Sequence, residues 1–209
     1  MWFQKLGRER TRAWPAAAGM GAALLVAFVS VGCTPSYVTS SDASVNLIVA
    51  AINGGNPLSS DIRIGSDSST VCPDVVSVAV AVRNKNPNAP VPSLPSAVVL
   101  QSYEVRYFRT DGLGVEGVDV PYRITGSLSF SIDVASSGTT NVPIEVVRRQ
   151  AKLEPPLSSI NQANILTLMA QVTLYGQTVA GQRVSASGSF QIDFADYADT
   201  LTSCPTTTS

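Results

Sequence analysis

The stretch that decides the fold is Val184-Ser185-Ala186-Ser187-Gly188-Ser189-Phe190-Gln191-Ile192-Asp193-Phe194. Apolar or small residues at 184, 186, 188, 190, 192 and 194 alternate with polar ones at 185, 187, 189, 191 and 193. A β-strand points successive side chains to opposite faces, so this period of two sends one face to a core and the other to water. A slip of one residue would bury Gln191 and Asp193 and expose Phe190 and Phe194, which pins the register.

Working outward, the same alternation recurs. Val76, Val78, Val80 and Val82 alternate with Ser77, Ala79, Ala81 and Arg83. Tyr103, Val105 and Tyr107 alternate with Ser102, Glu104 and Arg106, which leaves Phe108 on the opposite, solvent face. Leu128, Phe130, Ile132 and Val134 alternate with Ser127, Ser129, Ser131 and Asp133. Further strands are expected at 45–52, 141–147 and 165–175, making seven or more, with no helical period of useful length. A single helical turn is expected near 157–164, after Pro155-Pro156.

Turns are expected at Asp111-Gly112-Leu113-Gly114, at Ser136-Ser137-Gly138, and over 176–182, where Gly176 and Gly181 supply flexible backbone. Pro87, Pro90, Pro92 and Pro95 cannot sit inside a central strand, so 86–96 reads as a connection or an edge. The pattern predicts an all-β fold, an antiparallel two-sheet β-sandwich. The layout is a leader at 1–32, a tether at 33–43, the sandwich at 44–200 and a tail at 201–209.

Composition narrows the chemistry. The 209 residues hold 14 Lys and Arg, 15 Asp and Glu, and no His. Lys5, Arg8, Arg10, Arg12 and Glu9 fall in the leader, so 10 bases face 14 acids beyond it, a net charge of −4. A mildly acidic body has no electrostatic reason to hold nucleic acid. Without histidine there is no Ser-His-Asp or Cys-His triad and no His-ligated zinc. Lys85 and Lys152 are the lysines beyond the leader, and neither sits in a Ser-x-x-Lys pattern. We expect no enzyme and no cofactor.

The N-terminus has the parts of a secretory signal: a basic segment from Lys5 to Arg12, then an apolar run over 16–31 that is shorter than the ~20 residues a spanning helix needs. One reading is an ordinary signal with an incidental cysteine. The other rests on Ser30-Val31-Gly32-Cys33, which resembles the lipobox of bacterial lipoproteins. That motif usually has Leu, Val or Ile three residues before the cysteine; here the position is Ser30, with Val29 one step earlier. The resemblance implies cleavage after Gly32, palmitate-type acyl chains on Cys33, and a body held to a membrane of the bacterial cell envelope, facing the periplasm or the exterior. Each buried CH₂ would contribute roughly 0.8 kcal/mol, so two or three chains hold permanently where one does not.

With Cys33 assigned to lipid, Cys72 and Cys204 form an even pair in an oxidising compartment, which favours a disulfide over two free thiols or a metal pair.

Val76 to Asn88, ending Val82-Arg83-Asn84-Lys85-Asn86-Pro87-Asn88, followed by Tyr103-Glu104-Val105-Arg106-Tyr107, resembles the LEA14/WHy type of immunoglobulin-like sandwich. Gly117-Val118-Asp119-Val120-Pro121, the run from Val146 to Leu157, and Phe194-Ala195-Asp196-Tyr197-Ala198-Asp199 are similar to a group of bacterial lipoproteins of uncharacterised function. The resemblance implies an immunoglobulin-like fold and an envelope location. It carries over no catalytic residue.

Candidate sites are few. Arg148, Arg149 and Lys152 form the dense positive cluster, able to face lipid headgroups or an acidic partner, or simply to guard a strand edge. Lys152 and Glu154 lie two apart and would neutralise each other on an extended chain. Phe108 is the aromatic placed for an exposed contact. Asp193, Asp196 and Asp199, and separately Asp61, Asp67 and Asp74, supply oxygen ligands of the kind Ca²⁺ takes, though neither group has an EF-hand pattern. These features predict a non-catalytic interaction module for another envelope protein or glycan. The alternative is a structural or stress-protective module without a dedicated partner.

Overall fold

The computed structural model describes residues 43–64, 70–86, 88, 97–134, 138–197 and 204. The leader, Cys33 and most of the tether lie outside the described residues. So do Asp67, Asp199, Pro87, Pro90, Pro92, Pro95, Ser136, Ser137 and the tail apart from Cys204.

The described elements are β1 (Val45–Ile52), β2 (Leu58–Asp61), β3 (Asp74–Asn84), β4 (Val98–Phe108), β5 (Ile124–Ile132), β6 (Thr140–Val147), α1 (Arg149–Leu153), β7 (Leu166–Thr178) and β8 (Arg183–Ala195). They form a three-stranded sheet, β1-β3-β6, packed on a five-stranded sheet, β2-β8-β7-β4-β5. In an immunoglobulin fold the first, second and fifth strands share one sheet while the third, sixth and seventh share the other. Here β1, β3 and β6 take the former places, and β4, β7 and β8 the latter. The fold is an all-β, immunoglobulin-like sandwich.

The alternation reads out as expected. In β8, Val184, Phe190, Ile192 and Phe194 are buried while Ser185, Ser187 and Ser189 are exposed. Val76, Val78, Val80 and Val82 are buried in β3. Tyr103, Val105 and Tyr107 enter the core, and Phe108 is 47% exposed. The Tyr107 hydroxyl crosses between the sheets and donates to the Val146 carbonyl at 2.6 Å. Burial, with the charge of Asp74 behind it, pushes the Tyr107 phenol well up, so it stays a neutral donor.

The structure departs from these expectations at β2 and at Gly176. β2 is a strand that the alternation does not announce, and it runs parallel to β8 while every other pairing of named strands is antiparallel. Four residues, Leu-Ser-Ser-Asp, are too few to show a period. Gly176 lies inside β7 rather than in a turn, because a Cβ there would come within 2.6 Å of the Val99 carbonyl oxygen on β4. The reversal itself falls at 179–182, where Gly181 takes a φ of +82°. The helical turn expected after Pro155-Pro156 is present as a 3-10 turn at Leu157–Ser159, and the α-helix Arg149–Leu153 ahead of the prolines is an addition that the sequence did not announce.

The sandwich has two poles. At the near pole the described chain enters, the Lys85 amide bonds the Ser44 carbonyl at 2.9 Å, and the Val179 amide bonds the Ala97 carbonyl at 3.0 Å. The far pole gathers the segments at 62–64, 70–73, 109–123, 148–165 and 195–197 with Cys204. The expected disulfide is there: Cys72 and Cys204, 132 residues apart, are bonded with their Cα atoms 5.4 Å apart. Closing a loop of that length stabilises by up to about 5 kcal/mol in the chain-entropy model.

Candidate functional site

Two arrangements at the far pole place polar chemistry, one exposed and one buried. The exposed one is the connection from β4 to β5, residues 109–123. Its backbone closes on itself. The Val118 and Asp119 amides bond the Val115 carbonyl at 3.1 and 2.8 Å, and the Gly117 amide bonds the Val120 carbonyl at 2.8 Å. The Val115 amide donates to the Asp119 carboxylate at 3.0 Å. Val120 is fully buried beneath, an apolar anchor. Gly117, at φ +78°, has the Tyr122 ring against its α-carbon, where a side chain would collide.

This loop holds Leu113, Val115 and Val118 in water, at 51, 60 and 65% exposure, and Leu113 shares a groove with Phe108. Several exposed apolar side chains on one loop, braced by hydrogen bonds within its own backbone, suit a binding surface more than a packing one. Its charges are spent locally. Arg109 Nε donates to both Asp111 carboxylate oxygens at 3.0 Å, and Arg123 Nε donates to Glu116 at 3.1 Å. The Arg109 guanidinium holds the Asp111 carboxyl below the usual carboxylate range. Arg106, Tyr107, Phe108, Leu113 and Arg123 line a groove of about 290 Å³ along the base of the loop.

The buried arrangement fastens the same pole from within. Lys152, on α1, has a side chain only 1% exposed. Its Nζ lies 2.9 Å from Asp74 Oδ2 and donates to the Asp61 carbonyl at 2.6 Å. Ser60, fully buried, donates its hydroxyl to the same Asp74 oxygen at 2.6 Å. Burial pushes the Asp74 carboxyl up, against the pull of Lys152 and Ser60. A hydroxyl, a carboxylate and an ammonium meet here, but with Ser60 and Lys152 sealed from solvent the trio joins β2, β3 and α1 and leaves no room for a substrate.

The sequence-based cluster of Arg148, Arg149 and Lys152 is therefore corrected. A five-residue helix turns Lys152 inward, away from the two arginines. Arg149 stays exposed, and the Arg148 guanidinium donates to the Thr125 carbonyl of β5. Nor does Lys152 pair with Glu154, which accepts instead from Gln150 at 2.7 Å. Of the acidic runs, Asp67 and Asp199 lie outside the described residues, and two of the described members are engaged by protein groups. Asp193 accepts from Thr167 at 2.7 Å and Gln191 at 2.9 Å, and Asp74 is taken by Lys152. Among the described residues no group of three metal-ligating side chains occurs. No described helix is long and apolar enough to cross a membrane.

Sequence reasoning missed Ser60, the Asp74–Lys152 pair, and the exposure of Leu113, Val115 and Val118. The pair spans β3 and α1 without any local signal. The loop did carry one: apolar residues between turn formers, in a segment too short to be a strand. Compared with known proteins, the chain matches no family model, no curated protein and no solved structure.

Proposed function

We propose that the chain is a lipid-anchored, non-catalytic interaction module of the bacterial cell envelope. Acyl chains on Cys33 would hold it to a membrane, and the loop at 109–123 would engage another envelope protein. The observation that carries the reading is the apolar surface of Phe108, Leu113, Val115 and Val118, fixed by a self-bonded backbone at the pole opposite the described chain's entry. Because the arginines of the loop are matched by carboxylates, the surface suits an apolar patch on a protein better than an anionic lipid sheet.

A photo-crosslinking residue at Val118, in the native envelope, tests the partner. One defined protein should be trapped, and Leu113→Ser should abolish the adduct. No adduct, or an adduct indifferent to Leu113→Ser, would rule the loop out. Cys33→Ser tests the anchor: acyl labelling should vanish and the protein should leave the membrane fraction. A wild-type chain without acyl mass on Cys33 would end the lipoprotein reading.

A further inference from the structure

We infer that the open edge of β8 pairs with the same edge of a second copy of this chain, joining two five-stranded sheets across a two-fold axis. β2 covers β8 only over 192–195, so among the described strands none pairs with 183–191 on the side away from β7. Such an edge presents a row of backbone donors and acceptors to which another extended chain can bond. The other long edges carry interruptions. β1 shifts register between Val49 and Ala51, β6 contains Pro143, and the Thr125 carbonyl of β5 accepts from Arg148. Over 184–191, β8 has no proline, no charge and an unbroken register with β7.

A groove of about 560 Å³ lies beside this stretch, between the edges of β1 and β8. Its lining includes the core-facing Leu47, Val49, Ala186 and Gly188 and the exposed Ile48. Gly188 lets β1 come close, since a Cβ there would meet Val49 Cγ1 at 2.8 Å. The side of the sandwich is therefore open down to apolar residues at the place where the edge of β8 is unpaired. A strand added to that edge turns every second side chain toward the groove and closes it.

The edge is complementary to itself. Ser187 is the centre of 183–191, and an antiparallel pair about Ser187 ends on each side where the facing copy's β2 begins. Ser185 then faces the partner's Ser189, Ala186 the partner's Gly188 and Val184 the partner's Phe190, so both faces keep their character. At each end Arg183 lies across from the partner's Gln191 and diagonal to the partner's Asp193, about 7–8 Å away and within reach of a guanidinium. Among the described residues no carboxylate pairs with Arg183 and no cation with Asp193, which accepts from Thr167 and Gln191. Backbone alone would take any extended chain; the match of length, faces and end charges selects a second copy. The pairing uses neither the loop at 109–123 nor the anchor.

Sedimentation velocity of the full chain in detergent tests the pairing, and the wild type should run as a dimer. Ser187 is exposed, so Ser187→Lys and Ser187→Glu should keep the fold, checked by circular dichroism. Each alone should be monomeric, because like charges meet at the axis, and a mixture of the two should dimerise. Arg183→Glu should weaken the dimer roughly tenfold. With a short thiol cross-linker, Ser187→Cys should join two copies. Ser185→Cys should not, since its copies lie four positions, about 13 Å, apart across the pair. A wild type that stays monomeric at every concentration tested would overturn the inference. So would a Ser187→Lys dimer as tight as the wild type, or a mixture no tighter than either charged variant alone. Cross-linking at 185 as efficient as at 187, or a Ser187→Cys chain that joins a different protein in the native envelope instead of a second copy, would overturn it as well.

Discussion

The far pole holds two cation–carboxylate arrangements that look alike on a list of distances and differ in everything that follows. Lys152 meets Asp74 at 2.9 Å inside the sandwich, and Arg109 meets Asp111 at 3.0 Å on its surface. Both are short and hydrogen-bonded. The surface pair is solvated and screened, so it contributes little to stability and serves mainly to neutralise the loop. The inner pair has lost its water. It must be satisfied by protein groups, and Ser60 and the Asp61 carbonyl supply them. Burial, not distance, decides which pair the fold depends on.

The largest effect should come from removing Lys152. Lys152→Ala leaves the Asp74 carboxylate without its cation and the Asp61 carbonyl without its donor. The expected loss is about 3 kcal/mol, read from urea unfolding. Replacing both partners, as Lys152→Met with Asp74→Leu, should recover most of that loss, because no uncompensated charge remains. A double variant as unstable as the single one would mean that the pair does more than balance itself.

Ser60→Ala should cost about 1–2 kcal/mol, less than Lys152→Ala, because it removes one donor to a carboxylate that keeps its cation. Equal losses from the two variants would erase the distinction between hydrogen bond and charge at this site.

The pH dependence is smaller and has opposite signs in the two regions. Asp74 has a raised value in the folded state, so the native protein binds its proton more readily than the unfolded chain. Its contribution to stability grows as pH falls through that raised value toward the ordinary carboxylate range near ~4. Asp111 and Glu104 are held low, Asp111 by Arg109 and Glu104 chiefly by its bond to Arg106. Their contribution is present above the ordinary range and fades as pH falls through their lowered values. The stability of the wild type relative to Asp74→Asn should therefore rise on acidification from neutral pH. A fall would show that the attraction of Lys152 outweighs the burial of Asp74.

Smallest of all, Arg109→Ala should leave the unfolding midpoint unchanged within error, since both partners stand in solvent. A measurable shift would mean that the loop is coupled to the core more tightly than its exposure implies.

Much of the sandwich is legible along the chain because its strands have one wet face and one dry face. Val76 to Val82 and Val184 to Phe194 alternate over enough residues for a period of two to stand out. β2 escapes because it is four residues long and is held by pairing with Ile192 to Ala195, far away in sequence. Gly176 misleads for a related reason. Glycine marks turns when φ is positive, yet here it marks the close approach of β4, a constraint set by a different strand.

The candidate sites divide the same way. Phe108 is placed on the solvent face by parity alone, and Cys72 and Cys204 are paired by arithmetic once Cys33 is set aside. Lys152 is misplaced, since charge predicts water and only packing can overrule it. What the sequence by itself determined is what repeats or counts locally: the strands, the faces they bury, the absence of histidine chemistry and the even cysteines. Tertiary structure alone decided the parallel seat of β2, the inward turn of Lys152 onto Asp74, and the solvent exposure of Leu113, Val115 and Val118. Each of those depends on a partner, or on a missing one, at long range, and the free energy of a charge or an apolar side chain is set by what surrounds it, not by its neighbours along the chain.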